Sequence, residues 1–272
     1  MPILTELSKP TDWIEPDDVA RPIVTYGFVT EDFDGIELGF HSHAKGQIIL
    51  VQRGALSCEV EGGLWIVPPR SAVWIPGGAL HAIKATATGA LEGYNGFVDP
   101  AVGQSLPKTC CALSVTPLLR ELLTRAANLP LLYREGGANS RLISVLLDEL
   151  AIAEIEDLHL PMPNDHRLRR IIDLMMNAPA DRATLAVWAK RAGLSERTLA
   201  RLIHQETGMS FGRWRQQLCV MLAVKWLAGG ASIQQVAADL GYESMPSFVT
   251  MFRKALGTSP GRYMVERHSG RL

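Results

Sequence analysis

The 272-residue chain is 47% apolar and carries a formal net charge of −1, a composition that fills globular cores and excludes a disordered protein. Its four cysteines show no paired ligand spacing, which excludes a disulfide framework and favours a reducing compartment. No run of 18 or more apolar residues occurs, and residues 1–18 lack the basic start and apolar centre of a secretory signal, so we expect a cytoplasmic protein with no membrane partner.

Short β-favouring runs separated by glycine and proline fill residues 35–99. Strands of this length between closely spaced turn signals are typical of an antiparallel sandwich or barrel. The sequence therefore predicts a β-barrel domain over residues 1–105. The runs are QIILVQRG, ALSCEVEGG, LWIVPP, SAVWIPGG and LHAIKAT.

Three histidines and a glutamine in this region are spaced as candidate members of one site. His41 and His43 are two residues apart, so on one strand their side chains would point to the same face. Gln47 follows four residues later, and His81 ends the segment PGGALH. This spacing resembles the two sequence motifs of cupin barrels. The resemblance implies a cupin-like barrel in which the four side chains converge.

The chemistry of these side chains leaves the occupant of the site open. Imidazoles gathered at one point suit Ni, Zn, Cu or Fe, so a divalent transition metal held by the three histidines and Gln47 is one expectation. Gln47 replaces the usual cupin glutamate, which removes the anionic ligand, and Arg70 stands where a glycine begins the second motif. The alternatives are an organic effector and plain hydrogen-bonded polar groups in the core. The residues expected to line an organic effector are Gln47, Trp65, Trp74, His81 and Tyr94.

Two amphipathic helices are predicted after the β region. PLLRELLTRAANL begins at Pro117, and a second apolar pattern runs from Leu142 to Ile155. Packing on the β domain accounts for one apolar face, but the second pattern is leucine-rich over about five turns. We therefore predict a helical dimerisation segment over residues 106–160 and a homodimer.

A short proline-containing joint, residues 157–165, separates an acidic from a basic part of the chain. Asp165 suits the N-cap of the helix HRLRRIIDLMMNA. From Asp165 onward the sequence has 16 Lys and Arg against 8 Asp and Glu, whereas the preceding part has 11 against 20. The basic part either meets a polyanion or docks on the acidic part, and its motifs favour the polyanion. We assign a separate helical domain to residues 161–272.

Residues 184–208 and 232–257 are two versions of one unit. Gly193 matches Gly241 at a separation of 48, and the later positions match at 49, so one residue is inserted in the second turn. Each version has a short helix, a turn opened by glycine, a serine that can cap the next helix, and a glycine that ends it. This order predicts two helix-turn-helix units.

The exposed early positions of the second helix in each unit are the expected DNA contacts. Arginine binds guanine O6 and N7 with two hydrogen bonds, whereas the corresponding positions of the second unit favour apolar contact with thymine methyls and single hydrogen bonds. A continuous helix from about Phe211 to Leu227, roughly 25 Å long, would hold the two units about one DNA turn, roughly 34 Å, apart. The predicted base contacts are Ser195, Glu196, Arg197, Thr198 and Arg201 in the first unit and Ser244, Met245, Pro246, Ser247 and Thr250 in the second; the phosphate contacts are Arg182, Lys190, Arg213, Arg215, Arg253 and Lys254.

Residues 166 to about 265 resemble the DNA-binding domain of AraC/XylS-family transcription regulators. The resemblance is carried by AGLSERTLARLIHQETGMSFGRWRQQL and GASIQQVAADLGYESMPSFVTMFRKALGTSPGRY. It implies a C-terminal all-helical domain that binds double-stranded promoter DNA. Together with the cupin-like β-barrel and the middle dimerisation helices, this domain makes a multi-domain protein. The resemblance also implies the base-reading positions Arg197, Ala200 and Arg201 in the first unit and Pro246, Ser247 and Thr250 in the second.

Three functions compete for this combination of parts. A transcription regulator whose barrel senses a small molecule or a metal uses every predicted part. A cupin enzyme, such as a metal-dependent oxygenase or isomerase with a helical appendage, has no need for duplicated helix-turn-helix units. A constitutive architectural DNA-binding protein leaves the barrel without a purpose. We therefore predict a ligand-responsive regulator that is not an enzyme and has no catalytic residues.

Overall fold

A computed structural model of the chain describes residues 3–4, 14–30, 37–85, 90–156 and 158–269. Residues 35–36 and 86–89 of the predicted β region and residue 157 of the joint lie outside these ranges. The chain splits into two compact units, Met1–Val60 with Trp65–Leu158 and Glu61–Leu64 with His159–Leu272. None of the helices in the described part is both long and apolar enough to cross a bilayer.

The described residues form twelve strands and nine α-helices. The strands are β1 (Ile3–Leu4), β2 (Ile23–Thr30), β3 (Glu37–His41), β4 (Gly46–Arg53), β5 (Leu56–Val60), β6 (Gly63–Val67), β7 (Ser71–Ile75), β8 (His81–Ala85), β9 (Leu91–Val98), β10 (Cys111–Ser114), β11 (Ile155–Glu156) and β12 (His159–Pro161). The helices are α1 (Pro117–Ala127), α2 (Ala138–Ala151), α3 (His166–Asn177), α4 (Leu185–Arg191), α5 (Glu196–Thr207), α6 (Phe211–Ala228), α7 (Ile233–Asp239), α8 (Met245–Leu256) and α9 (Pro260–Ser269).

The first unit is built on two open sheets rather than on one closed barrel. One sheet has the order β1-β2-β9-β4-β7-β10-β11, and the other contains β6, β5, β8 and β3 in that order. Within the described ranges no strand belongs to both sheets, so the hydrogen-bonded ladder that closes a barrel is absent. The predicted β-rich first part and helical second part are confirmed; the predicted barrel closure is wrong.

Strand β4 is buried on both faces and divides the core of the first unit. Ile49 and Val51 pack with residues of β5, β6 and β7 between the two sheets. Ile48 and Leu50 point the other way and pack with residues of α1 and α2. Side chains alternate along a strand, so Gln47 lies on the same face as Ile49 and Val51, at the beginning of the core between the sheets.

Helix α2 differs from its predicted bounds for a physical reason. It spans Ala138–Ala151, so it starts before Leu142 and ends before Ile155. Ile155 instead pairs with Leu113 in an antiparallel ladder between β10 and β11. Strand pairing requires an extended backbone, which ends the helix although the apolar pattern continues.

The second unit is assembled around α6. This helix contacts α5, α7, α8 and α9, and its buried residues lie on every side of its axis. Trp214 donates its indole N–H to the carbonyl of Pro161 at 2.8 Å, which fixes α6 to β12. The predicted continuous helix from Phe211 is therefore confirmed, with its end at Ala228.

The two helix-turn-helix units have the predicted caps and turns. Ser195 Oγ accepts a hydrogen bond from the Thr198 amide at 3.1 Å, and Ser244 Oγ accepts one from the Ser247 amide at 3.4 Å. Asp165 likewise caps α3. The glycines that open the turns and end the second helices all have positive φ: Gly193, Gly208, Gly241 and Gly257.

The matched glycines of the two turns provide a paired test of stability. A Cβ at Gly241 would lie 2.4 Å from the carbonyl oxygen of Ala180, whereas a Cβ at Gly193 meets nothing within 4 Å. Gly193→Ala should lower the free energy of unfolding by about 1 kcal/mol through its left-handed backbone alone. Gly241→Ala should cost clearly more because backbone must also move. Circular dichroism at 222 nm during urea unfolding measures both changes, and equal losses would contradict the assigned contact.

Candidate nucleic-acid interface and histidine cluster

Helix α5 separates a buried face from an exposed one, as a recognition helix must. Leu199 and Ile203 are buried at 0% and 5% exposure and hold the helix on its unit. Glu196, Arg197 and Arg201 are exposed. The Arg201 guanidinium donates to Gln205 Oε1 at 2.9 Å, one helical turn later, which holds it along the helix surface.

Helix α8 has uncharged side chains at the positions that correspond to the two exposed arginines of α5. Phe248 and Phe252 are fully buried, with ring centroids 5.8 Å apart. The hydroxyl of the exposed Thr250 donates to the Pro246 carbonyl at 2.9 Å, which leaves its oxygen lone pairs as acceptors. The exposed residues of this helix are Met245, Pro246, Ser247, Thr250, Arg253, Lys254 and Ala255.

The predicted phosphate contacts divide into exposed cations and packed ones. Lys190, Arg213 and Arg253 are exposed. Arg182 is also exposed, but its guanidinium carbon lies 4.5 Å from the centroid of the Tyr242 ring. Arg215 is partly buried, and its guanidinium donates to the backbone carbonyls of Asp181 and Ala183, so its phosphate contact stays a prediction.

The three histidines of the first unit come together around Gln47. Ring centroids of His41 and His81 are 4.3 Å apart, and those of His43 and His81 are 5.1 Å apart. One imidazole nitrogen of each histidine lies within 4.8 Å of the others. His41 and His81 are cross-strand partners in the ladder between β3 and β8. The predicted convergence is thus present.

One detail of the expected geometry is wrong, because His41 and His43 do not share a strand. Strand β3 ends at His41, and His43 lies in the connection to β4. The backbone amides of Ala44 and Lys45 bind the carboxylate of Asp17 at 2.7 and 3.0 Å instead of joining a sheet. This carboxylate turns the connection so that the His43 side chain meets the other two.

The side-chain amide of Gln47 lies within hydrogen-bonding distance of two of the three histidines. Gln47 Oε1 lies 3.2 Å from His43 Nε2 and 3.1 Å from His81 Nε2. Gln47 Nε2 donates to Asn95 Oδ1 at 3.1 Å. Burial lowers the pKa of His81 to about 4, so this fully buried imidazole is neutral at neutral pH.

Two of the three aromatic residues expected at the site belong to a different core from the one that Gln47 faces. Trp65 belongs to the core between the sheets, whereas Trp74 and Tyr94 belong to the core beside α1 and α2. The ring of Phe97 contacts the cluster, with its centroid 5.2 Å from that of His43. Phe97 pairs with Gln47 between β4 and β9, a register that the sequence alone does not reveal.

Comparison with known proteins agrees with the helix-turn-helix geometry. Residues 188–265 match the family described as Helix-turn-helix domain. The HTH-type transcriptional regulator NimR of Escherichia coli (strain K12) is 45% identical over 224 residues, which cover 82% of this chain and 81% of NimR. RipA of Corynebacterium glutamicum, also an HTH-type transcriptional regulator, is 33% identical over 103 residues, which cover 38% of this chain and 31% of RipA. The crystal structure of unsaturated fatty acid bound ToxT from Vibrio cholerae has a TM-score of 0.38 at 11% identity and covers 89% of this chain and 95% of ToxT.

Two of these similarities identify the chain. The match to the helix-turn-helix domain contains α5, α6, α7 and α8, so it includes the whole of the second predicted unit and all but residues 184–187 of the first. The similarity to NimR extends over about four fifths of both proteins and therefore includes residues of the first unit as well. The chain belongs to the AraC family of helix-turn-helix transcription regulators.

Proposed function

We propose that this regulator binds promoter DNA sequence-specifically through α5 and α8, and that its first unit senses a small molecule or a metal that changes this binding. The observation that carries the proposal is the pair of capped helix-turn-helix units, each with an exposed recognition-helix surface. The chain acts in the cytoplasm on double-stranded DNA. The proposal assigns it no catalytic activity.

The side chains of the two recognition helices differ in how strongly they can discriminate between bases. Arginines on α5 can bind guanine with two hydrogen bonds, and each such pair is worth about 1 to 3 kcal/mol of discrimination. The exposed residues of α8 offer an apolar methionine, a proline and hydroxyl oxygens to the base edges. The helix-turn-helix unit that contains α5 therefore supplies most of the discrimination between bases.

We also propose that two copies of the chain associate through α1 and α2. Leu118 on α1 is 51% exposed and Val145 on α2 is 44% exposed, although both helices already bury another face against the sheet. Ile152, next to the end of α2, is 74% exposed. Exposed apolar side chains on helices whose other face is already buried are consistent with a homodimer interface.

An effector can change DNA binding only if it binds two states of the protein with different affinity. The test is DNA affinity measured by fluorescence anisotropy, with and without candidate small molecules and divalent metals, on a promoter fragment and on random DNA. We expect one effector to change the promoter affinity by about 5-fold or more. Unchanged promoter affinity and unchanged promoter output across the candidates would remove the sensor function while leaving DNA binding in place.

Replacement of Arg201 tests the base-reading assignment. Arg201→Ala should weaken binding to the specific site by about 1 to 3 kcal/mol and relax the preference at one base pair. Arg201→Lys keeps the charge but loses the paired hydrogen bonds, so most of the specificity should still be lost. Competition binding against sites varied one base pair at a time measures this preference. Equal losses on specific and random DNA would assign Arg201 to a phosphate instead.

Replacement of Lys190 tests the phosphate assignment. Lys190→Ala should weaken binding to all sequences alike and lower the slope of log affinity against log salt by about 1. The matched control is Lys108→Ala, which removes an exposed lysine from the first unit and should leave the slope unchanged. Binding isotherms over a series of salt concentrations measure both, and a parent-like slope in Lys190→Ala would contradict the contact.

A further inference from the structure

We propose that His41, His43, His81 and Gln47 form a binding site for one divalent transition-metal ion per chain. The inference deepens the sensor part of the proposed function, and the role of this metal as an effector rests on that proposal. Binding of the metal itself does not, because it follows from the hydrogen-bonding chemistry of the four side chains.

The first step is the position of the imidazole protons. A neutral imidazole has one N–H donor and one acceptor nitrogen, and a backbone carbonyl can only accept. In all three histidines Nδ1 lies against such a carbonyl, so Nδ1 carries the proton and Nε2 is left as an acceptor. The carbonyl partners are Gly39 for His41, Lys45 for His43 and Ala79 for His81.

The second step is the shortage of donors inside the cluster. Gln47 Oε1 is also an acceptor, yet it faces two acceptor nitrogens at 3.1 and 3.2 Å, those of His81 and His43. The donor end of the same amide is already used by Asn95 Oδ1 at 3.1 Å. Lone pairs that face each other at this distance repel unless a cation lies among them. A metal ion satisfies all of these acceptors at once.

The surroundings of the histidines agree with a ligand role. Metal-binding histidines ordinarily donate their other ring N–H to a carbonyl or carboxylate, which fixes the tautomer and the ring orientation. All three rings here have that carbonyl partner. Asp17 holds the connection that carries His43 through two backbone amides, so a second layer supports the least regular of the three ligands.

The donor set selects the class of ion. Imidazole nitrogen suits Ni, Cu, Zn and Fe, whereas Mg and Ca require several hard oxygen ligands. The candidate group found among the described residues contains three histidines and no carboxylate. An amide in place of an acid leaves the charge of the ion unbalanced, so Gln47→Glu should bind the metal more tightly than the parent.

One rival arrangement has the Gln47 amide turned by 180°. Its NH2 group would then donate to His43 and His81, and the Asn95 amide would turn with it. In that arrangement the cluster is a closed hydrogen-bond network that needs no ion. Gln47→Glu distinguishes the two, because a carboxylate strengthens a metal site but removes the donor on which the closed network depends.

The experiment is metal titration of the full-length chain after treatment with a chelator. Zn²⁺, Ni²⁺ and Co²⁺ are titrated in competition with a chromophoric chelator, with Mg²⁺ as the hard-ion comparison, and elemental analysis gives the stoichiometry. The visible absorption of bound Co²⁺ reports its ligand set. We expect one equivalent of transition metal and no competition by Mg²⁺.

Four variants assign the site. His41→Ala and His81→Ala should each weaken affinity by about 100-fold or more, and Gln47→Glu should strengthen it by about 10-fold. The matched control is His166→Ala, which removes an exposed histidine from the second unit and should bind like the parent. Because His81 is buried, its variant is checked by circular dichroism, and the exposed edge of the site is tested independently by His41→Ala.

Two results would overturn the proposal: less than one bound equivalent for each of the three metals, or a metal affinity that His41→Ala leaves unchanged. The effect of the metal on DNA affinity is measured separately from metal binding. Stoichiometric metal that leaves DNA affinity unchanged supports the site and removes only its effector role. Absence of metal with an intact response to an organic molecule removes the site and leaves the proposed regulator.

Discussion

The second unit depends on the burial of α6. Most helices of a small domain are apolar on one face, but α6 has buried residues around its whole circumference and is covered by α5, α7, α8 and α9. Both recognition helices therefore pack on one continuous element about 27 Å long. A displacement of either recognition helix would expose part of α6, so the two reading surfaces are held by the same core that stabilises the unit.

In the first unit, β4 is the central element on which both cores pack. Its alternating side chains fill the core between the sheets on one face and the core beside α1 and α2 on the other. Gln47, near the start of this strand, is thereby fixed in position and 4% exposed. Its amide oxygen thereby lies 3.2 Å from His43 Nε2 and 3.1 Å from His81 Nε2. The position of the cluster is thus set by packing along a whole strand.

Local features could be predicted from the sequence, and features that depend on distant pairing could not. Ser195, Ser244 and the turn glycines act within a few residues of their own position, so their caps and backbone angles followed from their chemistry. The separation of Trp65 from Trp74 depends on which face of each strand meets which core. The end of α2 depends on a strand partner some 40 residues earlier in the chain. Histidine spacing gave the members of the cluster but not the Asp17 carboxylate that shapes its connection.

The unlike surfaces of α5 and α8 give the bound protein a direction. The α5 surface, which reads bases through arginine, and the α8 surface, which offers methionine and hydroxyl groups, cannot exchange places on a stretch of DNA without losing their preferred bases. A single chain therefore needs an asymmetric target rather than a palindrome, and inverting that target turns the whole molecule around. Whichever surface of the regulator faces RNA polymerase at one promoter would face away at a promoter carrying the inverted target.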